Sequence, residues 1–154
     1  MPNKHTRTPD PMDLATPPLR DLAARLLTLE ARKGNAYTGP AVGRVCEKLG
    51  SVISMLAGAA GFHSLLSRAL ALARTGVPSL SRVTVLPDGK LEGLGSVGAG
   101  ATKDEADLGG VILVAHLLGL LILFIGEPLT LQLLKQAWPN AVLPGEEPHM
   151  TPSP

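Results

Sequence analysis

From Leu108 to Gly126 the chain runs for 19 residues without a formal charge, and this stretch restricts the fold more than any other. At a 1.5 Å rise per residue such a helix is about 28 Å long, close to the roughly 30 Å hydrocarbon core of a bilayer. A helix apolar on every side belongs either in the centre of a bundle or in a membrane. The flanks favour the bundle. Asp104, Glu105 and Asp107 crowd one end and Glu127 abuts the other. A span normally carries Lys or Arg on its cytoplasmic side and Trp or Tyr near the interfaces. His116, near the midpoint, is costly in lipid unless it has a partner. The expectation is a soluble, cytoplasmic protein with this helix at its centre. The alternative is a single inner-membrane span over 108–126, with the Lys/Arg excess upstream holding the N-terminal part in the cytoplasm.

A central apolar helix needs amphipathic neighbours, and the sequence supplies them. Thr16 can cap a first helix and Pro17-Pro18 suit its opening turn, where backbone N–H groups have no partner anyway. Leu19, Leu22, Leu26 and Leu29 form its apolar stripe. Arg32-Lys33 suit the last turn, and Gly34 can take the left-handed stop before a loop over 35–39. Pro40 opens a second helix with Val42, Val45, Leu49, Val52, Ile53 and Leu56 on one face, and with Arg44, Glu47 and Lys48 off it. The Gly58–Gly61 stretch breaks or kinks it. A third helix then runs from about Phe62 to Arg74, with Leu65, Leu66, Ala69, Leu70 and Ala73 inward.

One β element is expected. Val83–Leu86 and Lys90–Glu92 flank Pro87-Asp88-Gly89, a turn-forming centre, giving a hairpin over 82–94 that must lean on the helices. A glycine-rich loop follows over 93–101. Thr102-Lys-Asp-Glu105 has the form of a capping box and announces the apolar helix, which runs to about Ile125. Glu127-Pro128 restarts the chain into a last helix, Leu129 to Ala137, with Leu133, Leu134 and then Trp138 inward. The polar, proline-bearing ends, 1–16 and 140–154, are expected to be disordered tails around a single domain over 17–139. The fold class is thus mainly α: a compact bundle of four or five helices with one small β-hairpin. Leu and Ala dominate the apolar residues, and the aromatics are only Tyr37, Phe62, Phe124 and Trp138, which agrees with helix rather than sheet.

Charge and cysteine content exclude several classes. The net charge is +1, split into +6 up to Lys103 and −5 from Asp104 onward (13 Lys/Arg against 7 Asp/Glu, then 1 against 6). No basic run exceeds Arg32-Lys33 and no aromatic–basic interleaving occurs, so nucleic-acid binding is disfavoured. A single Cys46 cannot form an internal disulfide. Lys4 and Arg7 are followed by no apolar stretch, so an ordinary secretory signal is not expected.

No catalytic or metal-binding motif stands out. Cys46 with His63 or His116 could make a thiol–imidazole pair, but no spacing requires them to meet, and a buried cysteine acting as a small hydrophobe is the usual case. His5, His63, His116 and His149 form no metal-ligand spacing, and no cofactor is expected. A ligand held inside the bundle by His63 or His116 is the exception to weigh. Gly93–Gly100 matches neither phosphate-binding glycine pattern and reads as a connector. Arg44, Glu47, Arg68 and Glu127 sit in or beside apolar stretches, so any that proves buried must be paired. The candidate ligand or polar-pair residues are therefore Arg44, His63, Arg68, His116 and Glu127.

Arg44-Val-Cys-Glu-Lys-Leu49, Gly61-Phe-His-Ser-Leu-Leu-Ser-Arg-Ala-Leu-Ala-Leu-Ala73 and Phe124-Ile-Gly-Glu-Pro-Leu-Thr-Leu131 resemble segments of small bacterial helical proteins to which no activity is attached. The resemblance covers about Leu19 to Trp138 and implies a bacterial source, with nothing on mechanism. Three functions are left. The first is a non-enzymatic interaction or regulatory module working with a partner protein or as a homo-oligomer, for which an exposed Leu-rich patch would speak. The second is a single-span membrane accessory protein. The third is a small-ligand binder or enzyme whose pocket joins His63 or His116 to Arg68 or Glu127.

Overall fold

A computed structural model describes residues 15–33, 41–87, 90–93, 103–141 and 143. The expected tails lie almost wholly outside these residues, with His5 and His149. So do the Gly34 stop, the 35–39 loop, the Asp88-Gly89 turn, Thr102 of the capping box and nearly all of the glycine-rich loop.

Helix α1 (Pro17–Lys33) starts where the two prolines predict it, with the Arg20 N–H donating to the Thr16 carbonyl at 2.8 Å. Its Leu22, Ala23 and Leu26 are buried. Helix α2 (Ala41–Gly76) absorbs both the second and the third expected helices. It is interrupted at one residue only, Gly58, whose φ of 78° and ψ of 166° leave helical space altogether. That combination is essentially restricted to glycine; a side chain there would store about 1–3 kcal/mol of backbone strain. Because nothing lies within 4 Å of a Cβ built on Gly58, the penalty would be purely conformational. The bend is sharp. Twelve residues of straight helix would separate Gly50 from Phe62 by about 18 Å, yet a Cβ at Gly50 would lie 2.6 Å from the Phe62 ring. The missing side chain at Gly50 is what lets the two arms, 41–57 and 59–76, close on each other.

Leu56 departs from the expectation. Periodicity places it on the buried stripe of α2, but it is 57% exposed. It lies two residues before the bend, where the chain turns away before another helix can cover it.

A short 3-10 turn, Pro78–Arg82, not foreseen from the sequence, joins α2 to the hairpin. Arg74 holds this turn, its Nε donating to the Leu80 carbonyl at 3.3 Å and its Nη2 to the Val83 carbonyl. Strands β1 (Thr84–Val85) and β2 (Leu91–Glu92) then pair antiparallel, Thr84 opposite Glu92 and Val85 opposite Leu91. The hairpin is small and leans on α2.

Helix α3 (Lys103–Ile125) is the centre of the bundle, packed against α1, α2 and the last helix α4 (Glu127–Ala137). Leu113 to Leu121 are buried without a break. His116 lies among them, its Nδ1–H donating to the Ile112 carbonyl at 3.0 Å. The corner between α3 and α4 is Gly126, at φ 89° and ψ 157°, the same glycine-only region as Gly58. Thr130 reinforces the corner by donating from both its backbone N–H and its Oγ1 to the Gly126 carbonyl. Leu133, Leu134 and Trp138 turn inward as the sequence predicts, and the Trp138 N–H closes the helix onto the Leu134 carbonyl at 2.8 Å.

Candidate functional site

Two places in the fold concentrate unusual chemistry. One is a buried polar cluster that ties α1, α2 and the end of α4 together. Glu30 sits in the last turn of α1, where a carboxylate opposes the helix dipole, and is only 3% exposed. Three groups offset this. The Lys48 ammonium is 2.7 Å from Oε2, the Trp138 indole N–H donates to the same oxygen at 2.8 Å, and Arg44 Nε is 3.6 Å from Oε1. Arg44 also donates from Nη2 to the Glu30 carbonyl at 2.5 Å, satisfying one of the four carbonyls a helix end leaves open. Lys48 lies 5.4 Å from the Trp138 ring centroid, within cation–π range. Oε2 is met at hydrogen-bond distance by two donors and Oε1 pairs electrostatically with Arg44, which offsets the cost of holding the charge inside the protein. The arrangement locks three elements together.

The second place is a groove of about 370 Å³ between the two arms of α2, the end of α3 and α4. Ile53, Leu56, Leu65, Leu121, Phe124 and Leu133 supply most of its walls. Only two lining residues carry polar side-chain atoms, Ser64 and Arg68, which stand one helical turn apart on the second arm of α2. The groove joins both glycine corners, since Leu56 and Ala57 precede Gly58 while Phe124 and Ile125 precede Gly126. Two of its walls are exposed, Leu56 at 57% and Phe124 at 65%, and their chain neighbours Met55 and Leu123 are 77% and 68% exposed.

The five candidate residues fall in different places. Arg44 enters the buried cluster with Glu30. Arg68 borders the groove. His63, half-buried on the second arm of α2, and Glu127, exposed in the first turn of α4, do not line it. His116 is enclosed in α3. Glu47 is exposed beside the cluster rather than inside it. Among the described residues no group of three His, Cys, Asp or Glu side chains could hold a metal ion.

Cys46 is fully enclosed, and burial, with the neighbouring Glu47 charge second, pushes its thiol up to about 12 from 9.0. A nucleophilic thiol needs the opposite shift. Because the folded thiol holds its proton where the unfolded one releases it, this stability is present below pH 9 and lost as pH rises toward 12. The loss is about 1 kcal/mol per pH unit. Iodoacetamide at pH 8 should leave native Cys46 unmodified and alkylate it in urea. Denaturation midpoints should fall between pH 9 and 11 in the wild type and less in Cys46→Ala. Rapid native alkylation would show that the thiol is not enclosed.

The sequence alone did not reveal Glu30 as the partner of Arg44, nor Lys48 and Trp138 as further partners of the same carboxylate. A signal was present, since Glu30 stands four residues after Leu26 and so continues the buried face of α1. The groove had none beyond the stripe position of Leu56, because its walls meet only once both corners are folded. The chain matches no family model, no curated protein and no solved structure.

Proposed function

We propose that this is a non-enzymatic protein-interaction module of the bacterial cytoplasm, acting through the apolar face around the groove. The observation that carries this reading is that exposed Leu56 and Phe124 line an apolar recess, with exposed Met55 and Leu123 next to them in the chain. Large apolar side chains exposed singly need no explanation, but a contiguous group marks a contact surface. Met and Phe are also residue types enriched where proteins meet. The face stands at two corners whose glycine backbones fix its shape, so a partner meets a preformed surface and little ordering cost. The partner is another protein or a second copy of the chain.

A photo-crosslinking residue placed at Met55 or Phe124, and at exposed Gln132 as control, tests the reading in living cells. Discrete protein adducts are expected from the two face positions and none from Gln132; an adduct of twice the chain mass identifies self-association. Two helices, Ala41–Gly76 and Leu108–Ile125, have the length and apolarity to cross a bilayer. Crosslinks to lipid alone would therefore overturn the proposal in favour of membrane association.

A further inference from the structure

We infer that two copies of this chain exchange their N-terminal helices, α1 and the first arm of α2, by straightening α2 at Gly58. One residue separates the bent form from a continuous helix, because Gly58 alone leaves helical space and Ala57 and Ala59 beside it are already helical. Returning its φ of 78° and ψ of 166° to helical values makes Ala41–Gly76 a single rod about 54 Å long. The chain at the bend reads Met55-Leu-Ala-Gly-Ala-Ala60, and apart from the glycine these are strong helix formers. A break inside a helix also leaves to water backbone groups that a continuous helix pairs. Local preference is thus for the rod, and the bend is held by packing between the arms, Gly50 against the Phe62 ring foremost.

The corner itself is unbraced. Residues 55 to 60 are all exposed, and nothing lies within 4 Å of a Cβ built on Gly58. Among the described residues no side-chain hydrogen bond or ion pair reaches this stretch. The corner at Gly126 differs, since Thr130 ties it twice. A hinge without slack favours exchange between copies over closure within one. The contacts that fasten α1 and 41–57 to the rest of the fold are Gly50 on Phe62, Glu30 with the Trp138 indole, and α1 on α3. In the exchanged pair the same residues make the same contacts, each across the two chains. The exchange rests on the hinge and the core, not on Leu123 or Phe124, so it stands or fails apart from the protein-interaction reading.

The test is gel filtration with light scattering on the full chain. Wild type refolded from urea at millimolar concentration should give a dimer separable from monomer, because reversal requires peeling α1 from α3. Refolding at micromolar concentration should give monomer. Gly58→Ala is disfavoured at the positive φ of the bend and favoured in a rod. With two hinges in each dimer, it should raise the dimerisation constant at least about a thousandfold. Inserting Gly-Gly-Ser-Gly-Gly after Gly58 slackens the hinge and should keep the protein monomeric at both concentrations. In a wild-type dimer refolded from mixed isotope-labelled and unlabelled chains, isotope-filtered NOEs should join the Phe62 ring to the Gly50 Hα across chains. Phe124→Asp should leave this dimer intact. A wild type that is monomeric at every concentration would overturn the exchange, as would a folded Gly58→Ala that dimerises no better. A dimer whose Gly50–Phe62 contact stays within each chain, and which Phe124→Asp dissociates, would also overturn it and assign self-association to the exposed face.

Discussion

Replacing Glu30 with alanine should destabilise the protein by about 3 kcal/mol, one of the largest losses any single polar residue here can produce. The carboxylate is the common acceptor for Lys48 and the Trp138 indole and the counter-charge to Arg44. Its removal strands an indole N–H beside an almost fully buried ring and leaves two cations facing each other. The side chains of Lys48 and Arg44 are 35% and 17% exposed, so both regain some water, which holds the loss to the lower part of the range for broken buried pairs. Glu30→Gln should cost less, because an amide oxygen still accepts from the indole. Trp138→Phe on its own deletes that hydrogen bond. Combined with Glu30→Ala, it should add well under the sum of the two, since both remove the same contact. Urea denaturation of the four variants beside the wild type measures all of this. A Glu30→Ala midpoint within about 0.5 kcal/mol of wild type would mean the cluster is solvated and does not join α1 to α4.

How much of this was legible in the residues depends on the range of the interaction involved. Helix α1, α4 and the span of α3 follow from prolines, glycines and apolar spacing, all of which act within a few residues of chain. Trp138 could be placed inward because it continues the face of Leu133 and Leu134. The hairpin followed from its β-branched run and turn centre. What failed to show was set by contacts between distant segments. Glu30 and Trp138 are 108 residues apart, and nothing local to either names the other. Leu56 has the right period for the core, but its surroundings depend on how sharply Gly58 turns the chain, which in turn depends on Phe62 finding space at Gly50. The Pro78–Arg82 turn is held by Arg74 reaching across to two carbonyls, a contact without periodicity. Arg68 could be singled out by its setting but not given a place, because the groove it borders is assembled from three helices.

The uncharged stretch poses the sharpest choice, and its own side chains can decide it. In a bilayer, a lone helix presents Leu118 and Leu123 to the same hydrocarbon, so shortening either costs about the same. In this fold they differ completely: Leu118 is fully buried between helices and Leu123 is 68% exposed. Leu118→Ala should therefore cost about 2–5 kcal/mol, the transfer of the lost methyls plus the cavity that neighbours cannot fill. Leu123→Ala should lie within about 0.5 kcal/mol of wild type, as surface substitutions do. The relevant measurement is guanidinium denaturation of the detergent-free protein, with the slope compared as well as the midpoint, since an unchanged slope shows that the same surface is exposed on unfolding. Equal losses at the two positions would contradict a core helix. A large loss at Leu118 alone would make α3 the centre of a soluble bundle and leave Leu123, with Phe124 beside it, as surface free for a partner.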